Sequence, residues 1–96
     1  MKALIQGKKF LSERLCLLEL AEEEVARSAR PGQFVMVRVS EGFDPFLRRP
    51  LGIMETRGDT FTLLFEVVGR GTGILAQKSV GEEVDVLGPL GNGFSL

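Results

Sequence analysis

Apolar and polar residues alternate along several short stretches of this 96-residue chain. In the clearest stretch, residues 60–67, one face carries Phe61, Leu63, Phe65 and Val67, and the other carries Thr60, Thr62 and Glu66. A second alternation sets Val35, Val37 and Val39 against Met36 and Arg38. Successive side chains of a strand point to opposite faces, so both stretches predict β-strands with one buried face.

Turn residues divide the chain into six predicted strands. These strands lie near residues 2–9, 14–20, 33–39, 50–56, 60–67 and 83–87. Pro31-Gly32 predicts a turn before the third strand, and Arg57-Gly58-Asp59 predicts a hairpin loop before the fifth. Residues 72–79 predict the single helix, which Gly81 ends. The acidic residues 22–26 are interpreted as a solvated connection rather than a turn of helix.

Six short strands with one short helix predict an all-β fold. The pattern favours an antiparallel barrel, because a sheet that closes on itself has no exposed edges. A chain of 96 residues is too short for two hydrophobic cores, so residues 1–96 are expected to form one domain. Hydrophobic residues make up 44% of the chain and charged residues 26%, which is typical of a soluble globular protein.

The net charge and the pattern of N-terminal residues limit the expected location of the protein and the partners that it can bind. The formal net charge of −1 argues against a nucleic-acid surface, which would normally be basic. No apolar run approaches the ~18 residues of a membrane span. The first five residues are followed at once by polar residues 6–9, so no signal peptide is predicted. The sequence therefore predicts a cytoplasmic protein that binds neither nucleic acid nor a membrane.

Missing residue types exclude several kinds of site. The chain has no His and one Cys, so it cannot form a Ser-His-Asp or Cys-His nucleophile or the common zinc and iron triads. One thiol cannot hold an iron–sulfur cluster or an internal disulfide. Cys16, within an apolar run, is interpreted as a small buried hydrophobe rather than a reactive thiol. Any redox chemistry would therefore need a bound cofactor.

Two short blocks predict a binding site for a diphosphate. They are Leu47-Arg48-Arg49-Pro50-Leu51 and Gly69-Arg70-Gly71-Thr72-Gly73. An arginine offers planar N–H donors that match phosphate oxygens, and a glycine-rich turn that begins a helix presents unpaired backbone N–H groups to the same kind of anion. The alternatives are a solvated Arg pair and a turn without a ligand. Arg48 is expected to lie at the surface rather than on the ligand.

Four motifs together resemble the FAD-binding domain of the ferredoxin-reductase superfamily. They are Pro31-Gly32-Gln33-Phe34, Arg48-Arg49-Pro50-Leu51, Gly69-x-Gly71-Thr72 and Gly88-Pro89-Leu90-Gly91-Asn92-Gly93-Phe94. The resemblance covers essentially all 96 residues and is strongest to the electron-transfer subunits of bacterial dihydroorotate dehydrogenase. It implies a six-stranded Greek-key barrel, with FAD between this domain and an NAD-binding domain. The NAD-binding domain and the cysteines of a [2Fe-2S] cluster have no counterpart in these residues.

The resemblance also assigns cofactor-binding residues. It implies that Arg49 pairs with the FAD diphosphate and that Pro50, Leu51 and Gly52 run along the isoalloxazine edge. Backbone groups of Leu64, Phe65 and Glu66 would line the other side of the ring, and Gly71 with Thr72 would hold the diphosphate at the helix start. No catalytic or metal-binding residue is implied. Relatives usually carry Ser or Thr where this chain has Gly52, and often a basic residue where it has Glu66.

The resemblance implies an NADH-linked flavoprotein that passes electrons between NAD and a catalytic dihydroorotate dehydrogenase subunit, in pyrimidine biosynthesis. FAD and an iron–sulfur cluster would carry the electrons in the complete protein, and the 96 residues alone are expected to be inactive. One alternative is the small subunit of an NADH-dependent ferredoxin:NADP oxidoreductase or sulfide dehydrogenase, against which the Asn92-Gly93-Phe94 ending argues. An alternative of another class is a cofactor-free barrel that acts as a protein-interaction module. Residues 88–93 are expected to form a structural turn within a frayed tail.

Overall fold

The computed structural model describes residues 1–38 and 48–92, which form six strands and two short helices. The strands are β1 (Lys2–Phe10), β2 (Leu15–Ala21), β3 (Phe34–Arg38), β4 (Arg48–Arg57), β5 (Thr60–Glu66) and β6 (Glu83–Leu90). The helices are α1 (Glu23–Ser28) and α2 (Arg70–Gln77). Antiparallel neighbours close the sheet into a barrel in the order β1-β2-β5-β4-β3-β6. The predicted all-β barrel is confirmed, and its strand order is a Greek key.

The inward-facing residues of the strands fill the barrel. Every second residue of β2 is buried, and in β5 the side chains of Phe61, Leu63 and Phe65 are buried as the alternation predicts. The largest fully buried side chains are Phe61, Ile5, Leu18, Leu20, Leu63, Leu75, Val25, Val35, Val37 and Val86, together with Cys16. Cys16 is therefore a buried hydrophobe, as predicted. Burial raises the pKa of its thiol, although the nearby Lys8 ammonium partly offsets the rise.

Thr62 departs from the predicted pattern, because it lies on the polar face of β5 yet is buried. It lies directly opposite Glu19 on β2 and Glu55 on β4. Directly opposed residues share a face at close range, so these two longer side chains flank and cover the threonine. The sequence pattern identified the face correctly, but not the cover that the neighbouring strands provide.

Residues 22–26 are also a correction, since most of them belong to helix α1 rather than to a solvated connection. The carboxylate of Glu22 accepts a hydrogen bond from the Val25 N–H at 2.7 Å and so caps the helix. Val25 and Ala26 are buried, and α1 contacts β4, β5 and β6. A side-chain cap and two apolar residues over the barrel outweigh the acidic character of the segment.

The two helices lie at opposite ends of the barrel. Helix α1 follows the end of β2, next to the two-residue turn between β4 and β5, where the Glu22 N–H donates to the Asp59 carbonyl at 3.1 Å. Helix α2 follows the end of β5, where β2 and β4 begin. None of the helices in the described residues is long and apolar enough to cross a membrane.

The last strand extends beyond the predicted boundary at residue 87, and residues 88–92 are not frayed. Leu90 pairs with Phe34 on β3, and the Gln33 amide donates to the Gly91 carbonyl at 2.8 Å. Gly91 has a φ of 87°, which favours glycine, and a Cβ atom added there would lie 3.2 Å from the Phe34 ring. Two of the resemblance motifs therefore contact each other. The predicted positions Val39, Leu47, Gly93 and Phe94 lie outside the described residues.

Candidate functional site

Strand β4 changes its partner halfway along its length. Residues 48–52 pair with β3, from Arg48 opposite Arg38 to Gly52 opposite Phe34. The pairing with β5 starts only at Ile53, which lies opposite Leu63, and continues to the hairpin turn. Beyond Leu63, residues 64–66 of β5 pair with β2. We call the gap between residues 48–52 of β4 and residues 64–66 of β5 the open seam.

The open seam brings together seven of the nine residues predicted to bind a cofactor. Arg49, Pro50, Leu51 and Gly52 line one side, and Leu64, Phe65 and Glu66 line the other. The seam lies at the end of the barrel where β4 begins and β5 ends, which is also the end that α2 occupies. The two predicted blocks, which are about twenty residues apart in sequence, are thus at one end of the molecule.

Side chains alternate along the β4 side of the seam. Leu51 is buried and faces Val35 in the core, whereas Pro50 and Gly52 are exposed on the outer face. A Cβ atom added to Gly52 would meet nothing within 4 Å, so there is open space above this residue. The Ile53 N–H donates to the Gln33 carbonyl at 3.0 Å on the β3 side. Because main-chain groups alternate along a strand, the Gly52 N–H points toward β5 and the open seam.

Arg49 is exposed at the beginning of β4. It shares the inward side of the strand with Leu51, but lies at the barrel end, beyond the filled interior. Among the described residues its guanidinium makes one hydrogen bond, from Nη1 to the Arg48 carbonyl at 3.3 Å. Most of its N–H donors therefore face solvent and are available to an anion.

Arg48 was expected at the surface rather than on the ligand, and its side chain is partly buried, with 28% exposed. Its Nη2 lies 3.5 Å from Asp85 Oδ2 on β6, and its Nη1 is buried with no partner among the described residues. The same carboxylate contacts the Met1 ammonium at 3.4 Å. Burial by itself raises the pKa of Asp85, but the Met1 ammonium, Arg48 and Lys2 together lower it below its ordinary value. Arg48 joins β4 to β6, while Arg49 is left free to bind.

Helix α2 begins two residues earlier than predicted, at Arg70 rather than Thr72. The Thr72 hydroxyl accepts hydrogen bonds from the Val68 and Gly69 N–H groups at 3.0 and 3.1 Å, so it closes the turn before the helix. Gly69 is the N-cap and has no side chain to accept from the first turn. The N–H groups of residues 70–72 therefore have no partner within the helix. Gly71 and Thr72 are buried, and the Thr72 hydroxyl is engaged by the turn before the helix.

The charges near these groups are mixed. Arg49 and Arg70 are exposed cations, and Glu66 is an exposed anion at the end of β5. Three residues connect Glu66 to Arg70, so their Cα atoms are no more than about 14 Å apart. The seam and the helix start can therefore be spanned by one elongated ligand that has a flat hydrogen-bonding ring at one end and an anionic group at the other.

Sequence reasoning missed Lys8, which lies at the other end of α2. Its Nζ donates to the Ala76 carbonyl at 2.6 Å and to the Lys78 carbonyl at 2.9 Å. These partners are 68 and 70 residues away in sequence, and no local spacing signals such a contact. The register of β1, together with the position of α2 over the barrel end, creates it.

Comparison with known proteins identifies relatives over nearly the whole chain, although no protein-family model matches it. The dihydroorotate dehydrogenase B (NAD(+)) electron transfer subunit of Bacillus caldolyticus is 43% identical over 94 residues, which are 96% of this chain and 37% of that protein. The same subunit of Desulforamulus reducens is 51% identical over 81 residues, which are 82% of this chain and 31% of that protein. The chain thus spans about a third of the length of these relatives.

Solved structures agree with the barrel. An NADH-dependent reduced ferredoxin-NADP oxidoreductase, studied for flavin-based electron bifurcation, superposes with a TM-score of 0.89 at 33% identity, over 97% of this chain and 34% of that one. The cytochrome b5 reductase domain of Ulva prolifera nitrate reductase gives a TM-score of 0.75 at 19% identity, over 94% of this chain and 39% of that one. The second likeness is one of fold.

Proposed function

We propose that the chain binds FAD for electron transfer, because it belongs to the ferredoxin-reductase superfamily. Its barrel is homologous to part of the dihydroorotate dehydrogenase B electron transfer subunits. When bound, FAD would supply the exchange between two-electron and one-electron chemistry, and the chain supplies binding and orientation. The observation that carries the proposal is the open seam, because seven residues assigned to the flavin by resemblance line one gap in the barrel.

The seam fits the ring end of FAD. The Gly52 N–H points into the gap, and the space above its Cα is open, so a flat heterocycle can approach the main chain. Pro50 and Leu51 continue the same side of the gap. On the opposite side the Val67 N–H donates to the Arg14 carbonyl at 2.6 Å, so by alternation the main-chain groups of Phe65 pair with β2 and those of Leu64 and Glu66 point toward the seam. Hydrogen bonds to the ring would thus come from the backbone on both sides.

The helix start fits the diphosphate end. The exposed guanidinium of Arg49 would pair with phosphate oxygens, and the N–H groups of Gly71 and Thr72 would donate to the same anion. Gly52 supplies no hydroxyl to the ring, so its N–H alone would serve there. Glu66 is exposed and would turn its carboxylate away from the phosphates into solvent, because two like charges repel.

The finer function rests on the relatives. We infer that the complete protein passes electrons between NAD and a catalytic dihydroorotate dehydrogenase subunit, because the relatives are electron transfer subunits of such an enzyme. The NAD-binding part and a [2Fe-2S] cluster would belong to the two thirds of the relatives' length that this chain does not span. Cys16 is buried in the core and offers no ligand to a cluster.

An NADH-dependent ferredoxin-NADP oxidoreductase subunit is the second candidate. It is supported by the superposition at 33% identity, whereas the electron transfer subunits match at 43% and 51%. Under the proposal, both candidates would hold FAD at the open seam. A barrel that acts as a protein-interaction module would differ from both candidates, because it would bind a protein partner and no FAD.

Titration of the purified 96-residue protein with FAD tests the proposal. We expect flavin fluorescence to be quenched on binding, and we expect FAD to bind more tightly than riboflavin, which has the ring but lacks the diphosphate. No quenching by FAD, with the barrel folded by circular dichroism, would contradict the proposal and favour the interaction module. Equal affinity for FAD and riboflavin would contradict the assigned diphosphate contacts.

A further inference from the structure

Lys8 holds helix α2 at the end opposite the proposed phosphate contacts. Its ammonium donates to the carbonyls of Ala76 and Lys78, which belong to the last turn and the C-cap. The last carbonyls of a helix have no partner within the helix, and a cation there also interacts favourably with the helix dipole. Lys8 therefore satisfies two of these acceptors with one charged group.

Helix α2 depends on such an anchor, because it is intrinsically weak. It has eight residues, and two of them, Gly71 and Gly73, are poor helix formers. Helices this short are marginal in water and take their stability from tertiary contacts. Within the described residues those contacts include the burial of Gly71, Thr72, Leu75 and Ala76 and the two hydrogen bonds from Lys8. The apolar contacts hold α2 against the barrel, while the hydrogen bonds from Lys8 hold its C-terminal end.

The position of Lys8 follows from the register of β1. The pairing of β1 with β2 shifts between Ile5 and Gly7, after which Lys8 lies opposite the buried Leu18. Directly opposed side chains share a face, so Lys8 lies on the inward side near the end of the barrel, and its ammonium reaches the barrel mouth under α2. The Nζ atom also lies 5.7 Å from the centre of the Phe10 ring. Lys8 therefore contacts the Phe10 ring as well as the carbonyls at the end of α2.

We propose that Lys8 is a positioning residue for the FAD diphosphate: it fixes α2 from its C-terminal carbonyls, so that the N–H groups of residues 70–72 converge on one anion. This inference rests on the proposed function. Lys8 does not touch the ligand. The direction of the first-turn N–H groups follows the helix axis. Because α2 has only eight residues, fixing its C-terminal end with Lys8 also fixes the direction of that axis.

The test compares Lys8→Met, Lys8→Gln and Lys8→Arg with the control Lys9→Met, which removes an exposed charge from the next residue of β1. FAD affinity is measured by fluorescence quenching. We expect Lys8→Met to weaken FAD binding roughly two- to tenfold, the range of charge effects at a helix end. Lys8→Arg should restore most of the affinity, and Lys9→Met should leave it unchanged.

Amide chemical shifts separate positioning from general damage. In the wild-type protein, FAD should move the amide resonances of Gly71 and Thr72 at the diphosphate end and of Gly52 at the ring end. In Lys8→Met we expect the FAD-induced shifts of Gly71 and Thr72 to shrink while that of Gly52 is retained. Should Lys8→Met fail to fold, the same comparison in Lys8→Gln decides the matter, because glutamine keeps a polar N–H donor while it removes the charge and shortens the side chain.

Each outcome has one meaning. Unchanged FAD affinity in Lys8→Met, or parallel loss of the shifts at Gly52 and Gly71, overturns the positioning role and leaves the FAD proposal standing. Failure of the wild-type chain to bind FAD overturns the proposed function itself, and the role of Lys8 with it. Selective loss at the diphosphate end, restored by arginine, supports both.

Discussion

Arg48 and Arg49 are consecutive in sequence and have different roles in the barrel. Successive side chains of β4 point to opposite sides, so one guanidinium is drawn to Asp85 on β6 and the other is left exposed at the barrel end. Arg49, which the sequence predicts to bind the anion, is the exposed one of the two. The sequence does not predict the partner of Arg48, because Asp85 is 37 positions away and is brought close only by the pairing of β3 with both β4 and β6.

Arg49→Ala is expected to weaken FAD binding by about 1.5–3 kcal/mol, the usual contribution of hydrogen bonds to a charged group. Folding should hardly change, because the side chain is exposed. Fluorescence titration measures the affinity, and thermal melting measures the fold. The matched control is Arg57→Ala, which removes an exposed arginine at the far end of the same strand. A lower melting temperature with unchanged FAD affinity would make Arg49 structural.

Asp85→Asn tests the charge cluster on β6. The folded-state pKa of Asp85 is lowered, so its contribution to stability is complete above the ordinary value of 3.8 and is lost as the pH falls through the folded value. At neutral pH we expect the variant to be less stable by up to about 1 kcal/mol, as for partly exposed ion pairs. Urea unfolding should show the difference from wild type shrinking in acid. The control is Glu83→Gln on the same strand, and a constant difference at all pH values would contradict the assignment.

At the scale of elements, the backbone conformation of a glycine and the space around it decide what its replacement by alanine does. Gly91 has a φ of 87°, and a Cβ atom there would lie 3.2 Å from Cε1 of the Phe34 ring. Gly73 lies inside α2, where a Cβ atom would meet nothing within 4 Å. The same substitution, glycine to alanine, is therefore expected to have opposite effects at the two positions.

Gly91→Ala should lower the free energy of unfolding by about 1–2 kcal/mol, the cost of a left-handed conformation for a residue with a Cβ. Gly73→Ala should raise it by roughly 0.5–1 kcal/mol, because alanine favours a helix interior. Urea denaturation of both variants checks the signs. If both variants were destabilised alike, the described geometry of one of the two sites would be incorrect.

The elements that sequence reasoning predicted best are those with a strong local pattern. The alternation around Phe61 predicts strand β5 to within a residue, and the turn at Pro31-Gly32 is confirmed. Helix α1 was missed because its cap is a glutamate and its apolar face is only two residues wide. Helix α2 was predicted two residues late because the hydroxyl of Thr72 was interpreted as belonging to the start of the helix, whereas it accepts from residues before it.

The residues of the candidate site were proposed from the sequence, whereas their relative geometry was not. The resemblance assigns residues 49–52 and 64–66 to the flavin, but the open seam exists because β4 pairs with β3 in its first half and with β5 in its second. That change of partner involves three strands, and no short window of sequence contains them. The tether from Lys8 to α2 is non-local for the same reason.

At the scale of the whole molecule, we expect the 96-residue chain not to catalyse NADH oxidation, even with FAD added. Its sequence contains no G-x-G-x-x-G turn of the Rossmann type, because the glycines around the start of α2 have the different spacing Gly69-x-Gly71-x-Gly73. Holding a nicotinamide at reacting distance contributes on the order of 7–11 kcal/mol, which a free encounter lacks. Under anaerobic conditions, NADH should bleach the bound flavin no faster than free FAD. A rate far above that of free FAD would show that the barrel itself orients NADH.

The first and last strands of the barrel are neighbours, since Lys2 of β1 lies opposite Asp85 of β6. During synthesis the barrel therefore cannot close until residues up to Leu90 have left the ribosome, and until then β1 and β3 each expose an unpaired edge. Pairings between such distant residues also make folding slow, in the millisecond to second range of barrels rich in non-local contacts. A chain ending at Glu82 should be unfolded by circular dichroism, whereas a native spectrum would show that five strands suffice.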